Sequence, residues 1–164
     1  MRLLFILLFS LAFGFAKAHP RDYWFELDSK AGKEIYVSAC KNYVHQNWLD
    51  KAYIAAAKMI EADLALLPTT QLSLFSQGKS ELENCIQQDP WNTEIRFIRL
   101  TIQCQSPWFL DYHDHINEDT QVIIDHLHLN YIRRENPFWK KAITFMLKQS
   151  NIPDHFKNQL VCKK

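Results

Sequence analysis

The side chains best suited to chemistry gather in one window. Asp111, His113, Asp114, His115, Glu118, Asp119, Asp125, His126 and His128 bring carboxylates and imidazoles together there. Such groups are the common protein ligands of divalent metals. His115 and Asp119 stand at i, i+4, a separation that holds one metal ion when both lie on a helix. The HxH pairs lack that spacing, and there is no HExxH. The preferred reading is a solvated loop followed by an acid-capped helix, with no metal and no cofactor expected.

Arg96 and Arg99 are a second candidate. They lie on a segment, Thr93 to Gln105, that is otherwise apolar on two sides. A guanidinium cannot stay unpaired in a core, because an isolated buried charge costs several kcal/mol. Glu94, Asp111, Glu118 and Asp119 are the carboxylates within reach in sequence. As a structural network, these groups lock the central helix to the loop after it. As a functional site, Arg96, Arg99, Tyr112 and Asp111 form an anion- or carboxylate-binding pocket, or an enzyme site. The structural reading is the stronger one, since ion-pair networks are the commoner use of such pairs. Trp108 and Phe109, at the end of the same segment, would mark a partner surface if both were exposed.

Other enzyme signatures are missing. There is no GxSxG, no P-loop and no dinucleotide-binding glycine pattern. The four cysteines, Cys40, Cys85, Cys104 and Cys162, form no CxxC. In an oxidising compartment they permit disulfides whose pairing stays open, with Cys85–Cys104 the easiest pair to close. The competing reading, four small buried hydrophobes, carries more weight.

These residues must be positioned by helices. Tyr36, Ala39, Cys40, Tyr43 and Val44 make an apolar stripe of helical period from about Lys33. A second helix is expected from Leu49 or Asp50 to Leu67, stopped by Pro68 and rich in alanine, so that neighbours approach it closely. After a linker at Thr69 to Ser73, a third runs from Leu74 to Gln88 and stops at Asp89-Pro90. The fourth is Thr93 to Gln105, apolar on two faces and so sandwiched in the core. Asn117 is read as the N-cap of a fifth, whose core-facing stripe is Ile116, Thr120, Ile123, Ile124, Leu127 and Tyr131. Asn136-Pro137 opens a sixth, and a short last helix follows Pro153.

Gly78, Leu82, Cys85 and Pro90 resemble the second helix of a tetratricopeptide repeat. The upstream set Tyr36, Ala39, Cys40, Tyr43, Asn47, Asp50, Lys51 and Ala52 resembles it too. The run QGKSELENCIQQDPWNTEIRFIRLTIQCQSPWFLDY, with INED after it, is similar to a family of small exported helical proteins from Bacteroidetes. That resemblance covers about residues 52–127. It implies a fold and a compartment, and no activity.

The chain opens on Met1-Arg2, an apolar run from Leu3 to Phe15, and the small residues Ala16 and Ala18 around Lys17. This is the pattern of a secretory signal peptide cleaved before His19. The run is shorter than the roughly 20 residues a bilayer span needs, so no membrane span is expected after cleavage. Without Arg2 and Lys17 the 19 basic residues become 17 against 18 acidic ones, a formal charge of −1. A near-neutral chain with no basic block gives no support for nucleic-acid binding.

The expectation is therefore a signal peptide at residues 1–18 and one all-α domain at residues 19–164. Six to seven helices would stack as antiparallel hairpins, in a tetratricopeptide-like irregular short solenoid or bundle. Exported to the periplasm or beyond, it is read as a non-catalytic interaction or scaffold module for protein partners there.

Overall fold

The computed structural model describes residues 18–129 and 131–161. The segment read as a signal peptide, except Ala18, and Cys162 lie outside the described residues. Among the described residues the secondary structure is helical throughout, with no strand. A 3-10 segment at Pro20–Glu26 leads into α1 (Lys30–Lys41), α2 (Trp48–Leu64), α3 (Pro68–Gln88) and α4 (Thr93–Gln105). A 3-10 turn at Trp108–Leu110 then precedes α5 (Ile116–His128), α6 (Pro137–Lys148) and α7 (Asp154–Val161).

Short polar side chains start most of these helices by accepting hydrogen bonds from first-turn amides that have no intrahelical partner. Ser29 caps Gly32 at 3.0 Å. Asn47 caps Asp50 at 2.9 Å, and Asn92 caps Glu94 and Ile95, each at 3.2 Å. Asn136 caps Phe138 at 2.9 Å ahead of Pro137, as its sequence suggests. The expected α4 has the observed bounds.

Several boundaries differ from the sequence reading. Pro68 opens α3 instead of only stopping α2, which already ends at Leu64. Proline at the first helical position needs no amide hydrogen there, so it suits a start as well as a stop. Thr69 to Ser73 are accordingly helical, and Leu67 belongs to an exposed connection. Asn117 is inside α5 rather than capping it; His115 takes the cap position without a side-chain bond. That start turns Ile116 and Asp119 into the core. Tyr43 and Val44 follow α1, and Tyr131 follows α5, where it is exposed.

α2 and α3 run antiparallel: Lys51 near the start of α2 faces Cys85, Lys58 pairs with Glu81, and Met59 meets Gly78. A Cβ at Gly78 would sit 2.5 Å from Met59 Cγ and 2.6 Å from the Ala55 carbonyl oxygen. Only glycine permits this approach, and Ala52, Ala55 and Ala56 continue the small-residue face of α2. α2 also packs against α1 and α4. The hub is therefore shared between α4 and the alanine-rich α2, which the sequence also marked for close neighbours. α4 contributes Ile95, Phe97, Ile98 and Leu100, each fully buried. Phe97 meets Phe25, Phe138, Trp139 and Phe145 at ring distances of 5.7–6.1 Å, fixing α6 and the amino-terminal segment to α4. One core cluster runs from Trp24 to Leu160.

Candidate functional site

α3, α4 and α5 converge on a guanidinium–carboxylate network. Arg96 and Arg99 are one helical turn apart on α4, so both aim at the first turn of α5. Asp119 on α5 is fully buried. It accepts a two-pronged bond from Arg99, Nε to Oδ2 and Nη2 to Oδ1, both at 2.8 Å. Arg96 Nη1 adds a third bond at 3.0 Å and also pairs with Glu118. Arg96 Nε donates to the Pro90 carbonyl at 3.0 Å, tying in the α3–α4 connection. Arg99 Nη1 reaches Glu83 of α3 at 2.7 Å, and the Tyr112 hydroxyl donates to the other Glu83 oxygen at 2.6 Å.

The electrostatics follow from burial and pairing. Burial pushes the Asp119 carboxyl above its ordinary range, while the hydrogen bonds and charges of Arg99 and Arg96 pull it back. Burial lowers the Arg99 guanidinium, but bonding to Asp119 and Glu83 outweighs it and holds Arg99 more firmly charged than usual. Partial burial pushes Glu118 up, yet bonds from Arg96 and His115 hold it below the ordinary carboxylate range. Burial first, then the Glu83 charge, drives the Tyr112 phenol far above its ordinary value. Tyr112 is therefore a fixed donor, unsuited to acid–base work near neutrality.

Of the four residues proposed as an anion pocket, Arg96, Arg99 and Tyr112 meet here and Asp111 does not. Asp111 is exposed, with φ 46° and ψ 56° at the end of the 3-10 turn. Arg96 and Arg99 are 7% and 2% exposed, and carboxylates of the chain already occupy their donors. The arrangement joins α3, α4 and α5 through pairing within the chain. Sequence reasoning named Glu118 and Asp119 as partners but missed Glu83. Glu94, also considered, instead takes Tyr53 and Arg21, at 2.6 and 2.9 Å.

The carboxylate and imidazole cluster is dispersed. His115 pairs with Glu118 at 2.8 Å while Asp119 turns inward, so that i, i+4 pair does not converge. His113 bonds the Ser106 carbonyl and His126 the Val122 carbonyl. Among the described residues no group of three or more His, Cys, Asp or Glu is placed to hold a metal ion. Cys85 and Cys104, the pair read as easiest to close, carry free thiols, as does Cys40. Cys85 faces Lys51 and Glu81, whereas Cys104 faces Asn151, so the two look toward different neighbours. Burial pushes Cys40 and Cys104 up to about 12 and Cys85 up to about 11. Such thiols stay protonated and are poor nucleophiles.

Two surface features remain. Trp108 and Phe109 are 85% and 65% exposed and lie edge-to-face, with ring centroids 6.2 Å apart. Beside them a cleft of about 600 Å³ opens between α2, α3, α4 and the loop after α4. The aromatic pair was legible in sequence; the cleft was not, because it depends on how three helices diverge. No helix among the described residues is long and apolar enough to cross a membrane. No family model, curated protein or solved structure matches the chain.

Proposed function

We propose that this chain is an exported, non-catalytic interaction module that engages a protein partner in the cell envelope or outside the cell through Trp108 and Phe109. The observation that carries this reading is their joint exposure on a short, internally bonded turn. Leu110 N–H donates to the Pro107 carbonyl at 3.1 Å, and Asp111 N–H to that of Trp108 at 3.2 Å. Aromatics presented on a defined backbone lose little entropy on docking and are typical anchors of interfaces. The internal pairing of the arginines and the raised thiols support a non-catalytic role.

Export is supported by the sequence of residues 1–18 and by the contacts of His19. Its backbone nitrogen donates to Asp22 Oδ2 at 3.1 Å, and its ring bonds buried Asp50 at 3.0 Å. A chain beginning at His19 keeps both contacts and replaces the neutral amide donor by an ammonium group facing Asp22. Charge-assisted bonds of that kind are the stronger ones.

The test is a photoreactive phenylalanine analogue at position 109, introduced in the native host. A discrete protein adduct in the envelope or medium, lost when Trp108→Ala is added, is the expected result. Equal labelling from position 109 and from exposed position 148 would overturn the reading.

A further inference from the structure

The cleft beside the aromatic turn has its own chemistry. Its walls are mainly apolar, among them Leu27, Met59, Ile60, Phe75, Ile102 and Leu110. Its volume of about 600 Å³ falls in the range of small-molecule sites, which are apolar with a few placed polar groups. Several polar side chains that reach it are already engaged within the chain. The Thr101 hydroxyl donates to the Phe97 carbonyl at 2.9 Å, and the Ser106 hydroxyl to that of Ile102 at 2.8 Å. The Gln71 amide donates to the Ala65 carbonyl at 2.7 Å. The charged groups lining the cleft are Lys33 and Asp63, and they pair with each other at 2.6 Å.

These features select a ligand. Apolar walls favour hydrocarbon, and each methylene taken out of water adds to affinity. The Lys33–Asp63 pair presents a donor and an acceptor with no net charge. A carboxylate head would gain Lys33 but meet Asp63, and an ammonium head would do the reverse. A hydroxyl accepts from Lys33 and donates to Asp63 at the same time.

We propose that the cleft binds the hydrocarbon portion of a small uncharged amphiphile, a fatty alcohol or monoacylglycerol, with its hydroxyl head at the Lys33–Asp63 pair. The site is separate from the protein contact assigned to Trp108 and Phe109, although Phe109 lines both. Either can fail while the other stands, because one is read by adducts from position 109 and the other by titration of the purified protein.

The experiment displaces the neutral fluorescent probe N-phenylnaphthylamine with decanol, decanoate and decyltrimethylammonium. Decanol is expected to bind about tenfold more tightly than either ion. Affinity along an alcohol series should rise roughly three- to fourfold per methylene, until the chain fills the cleft. Leu72→Asp, on the exposed part of the cleft wall, should weaken decanol by about tenfold with an unchanged melting temperature. Lys33→Met, which leaves Asp63 unpaired, should turn the preference toward decyltrimethylammonium. Failure of decanol to displace the probe, tightest binding of decanoate, or an unaltered preference in Lys33→Met would each overturn the proposal.

Discussion

Replacing Arg99 with alanine removes two bonds to Asp119 and one to Glu83 in a single step. Asp119 remains fully buried with only Arg96 beside it, and Glu83 keeps only the Tyr112 hydroxyl. Arg99 and Asp119 side chains are 3% and 0% exposed, so water screens little of this loss. Breaking a buried pair by removing one partner costs about 3–5 kcal/mol. For a chain of this length that corresponds to a melting temperature lower by about 10 °C or more. Urea denaturation followed by tryptophan fluorescence should show a lower midpoint at an unchanged slope. Lys148→Ala, at an exposed site, should move the midpoint by less than about 0.5 kcal/mol. The paired replacement Arg99→Met with Asp119→Leu should cost less than Arg99→Ala alone, because it leaves no uncompensated charge at position 119. Equal midpoints for Arg99→Ala and Lys148→Ala would refute the reasoning, and so would additive losses in the paired variant.

Three further outcomes are expected. Gly78→Ala gains up to about 1 kcal/mol of helix propensity but drives a methyl group into Met59 and the Ala55 carbonyl. It should therefore destabilise the fold by about 1–3 kcal/mol in the same urea assay. Gln103 is fully buried, and its amide makes no hydrogen bond among the described residues; Gln103→Met should raise stability by roughly 1 kcal/mol in a calorimetric scan. Glu118→Gln should cost on the order of 1 kcal/mol or less near neutrality, since Glu118 is half-exposed. Its folded-state pKa is lowered, so the stabilisation is complete above the ordinary carboxylate value and is lost as pH falls through the lowered one. The melting curves of Glu118→Gln and the wild type should accordingly converge in acid; a gap that widens there would contradict the pairing.

Local signals carried much of the fold. The proline stop at Asp89-Pro90 and the apolar pattern on two faces marked α4, and Asn136-Pro137 marked α6. Pro68 misled because proline both ends and begins helices, and the backbone bonding of Thr69 to Ser73, with Gln71 N–H donating to the Leu67 carbonyl at 3.0 Å, decides between the two. Asn117 misled because the burial of Ile116 and Asp119 outweighed a better cap two positions later. The need to pair Arg96 and Arg99 followed from their place on an apolar helix, and Glu118 and Asp119 were found by proximity in sequence. Glu83 was not, since it reaches Arg99 from another helix. The cleft had no local signature at all, for its walls come from segments spread between Leu27 and Leu110. Asp111 was drawn into the candidate pocket by its neighbours, yet its left-handed backbone turns the chain there and leaves it exposed.

The central claim is that Arg96 and Arg99 hold the molecule together and that binding belongs to its outer faces. The most direct test follows the Arg99 Nε–H resonance by NMR during titration with phosphate and then with succinate. A bond of 2.8 Å to a buried carboxylate predicts a downfield, slowly exchanging signal that neither anion moves. A saturable shift of that signal with either anion would show an open anion site and contradict the account.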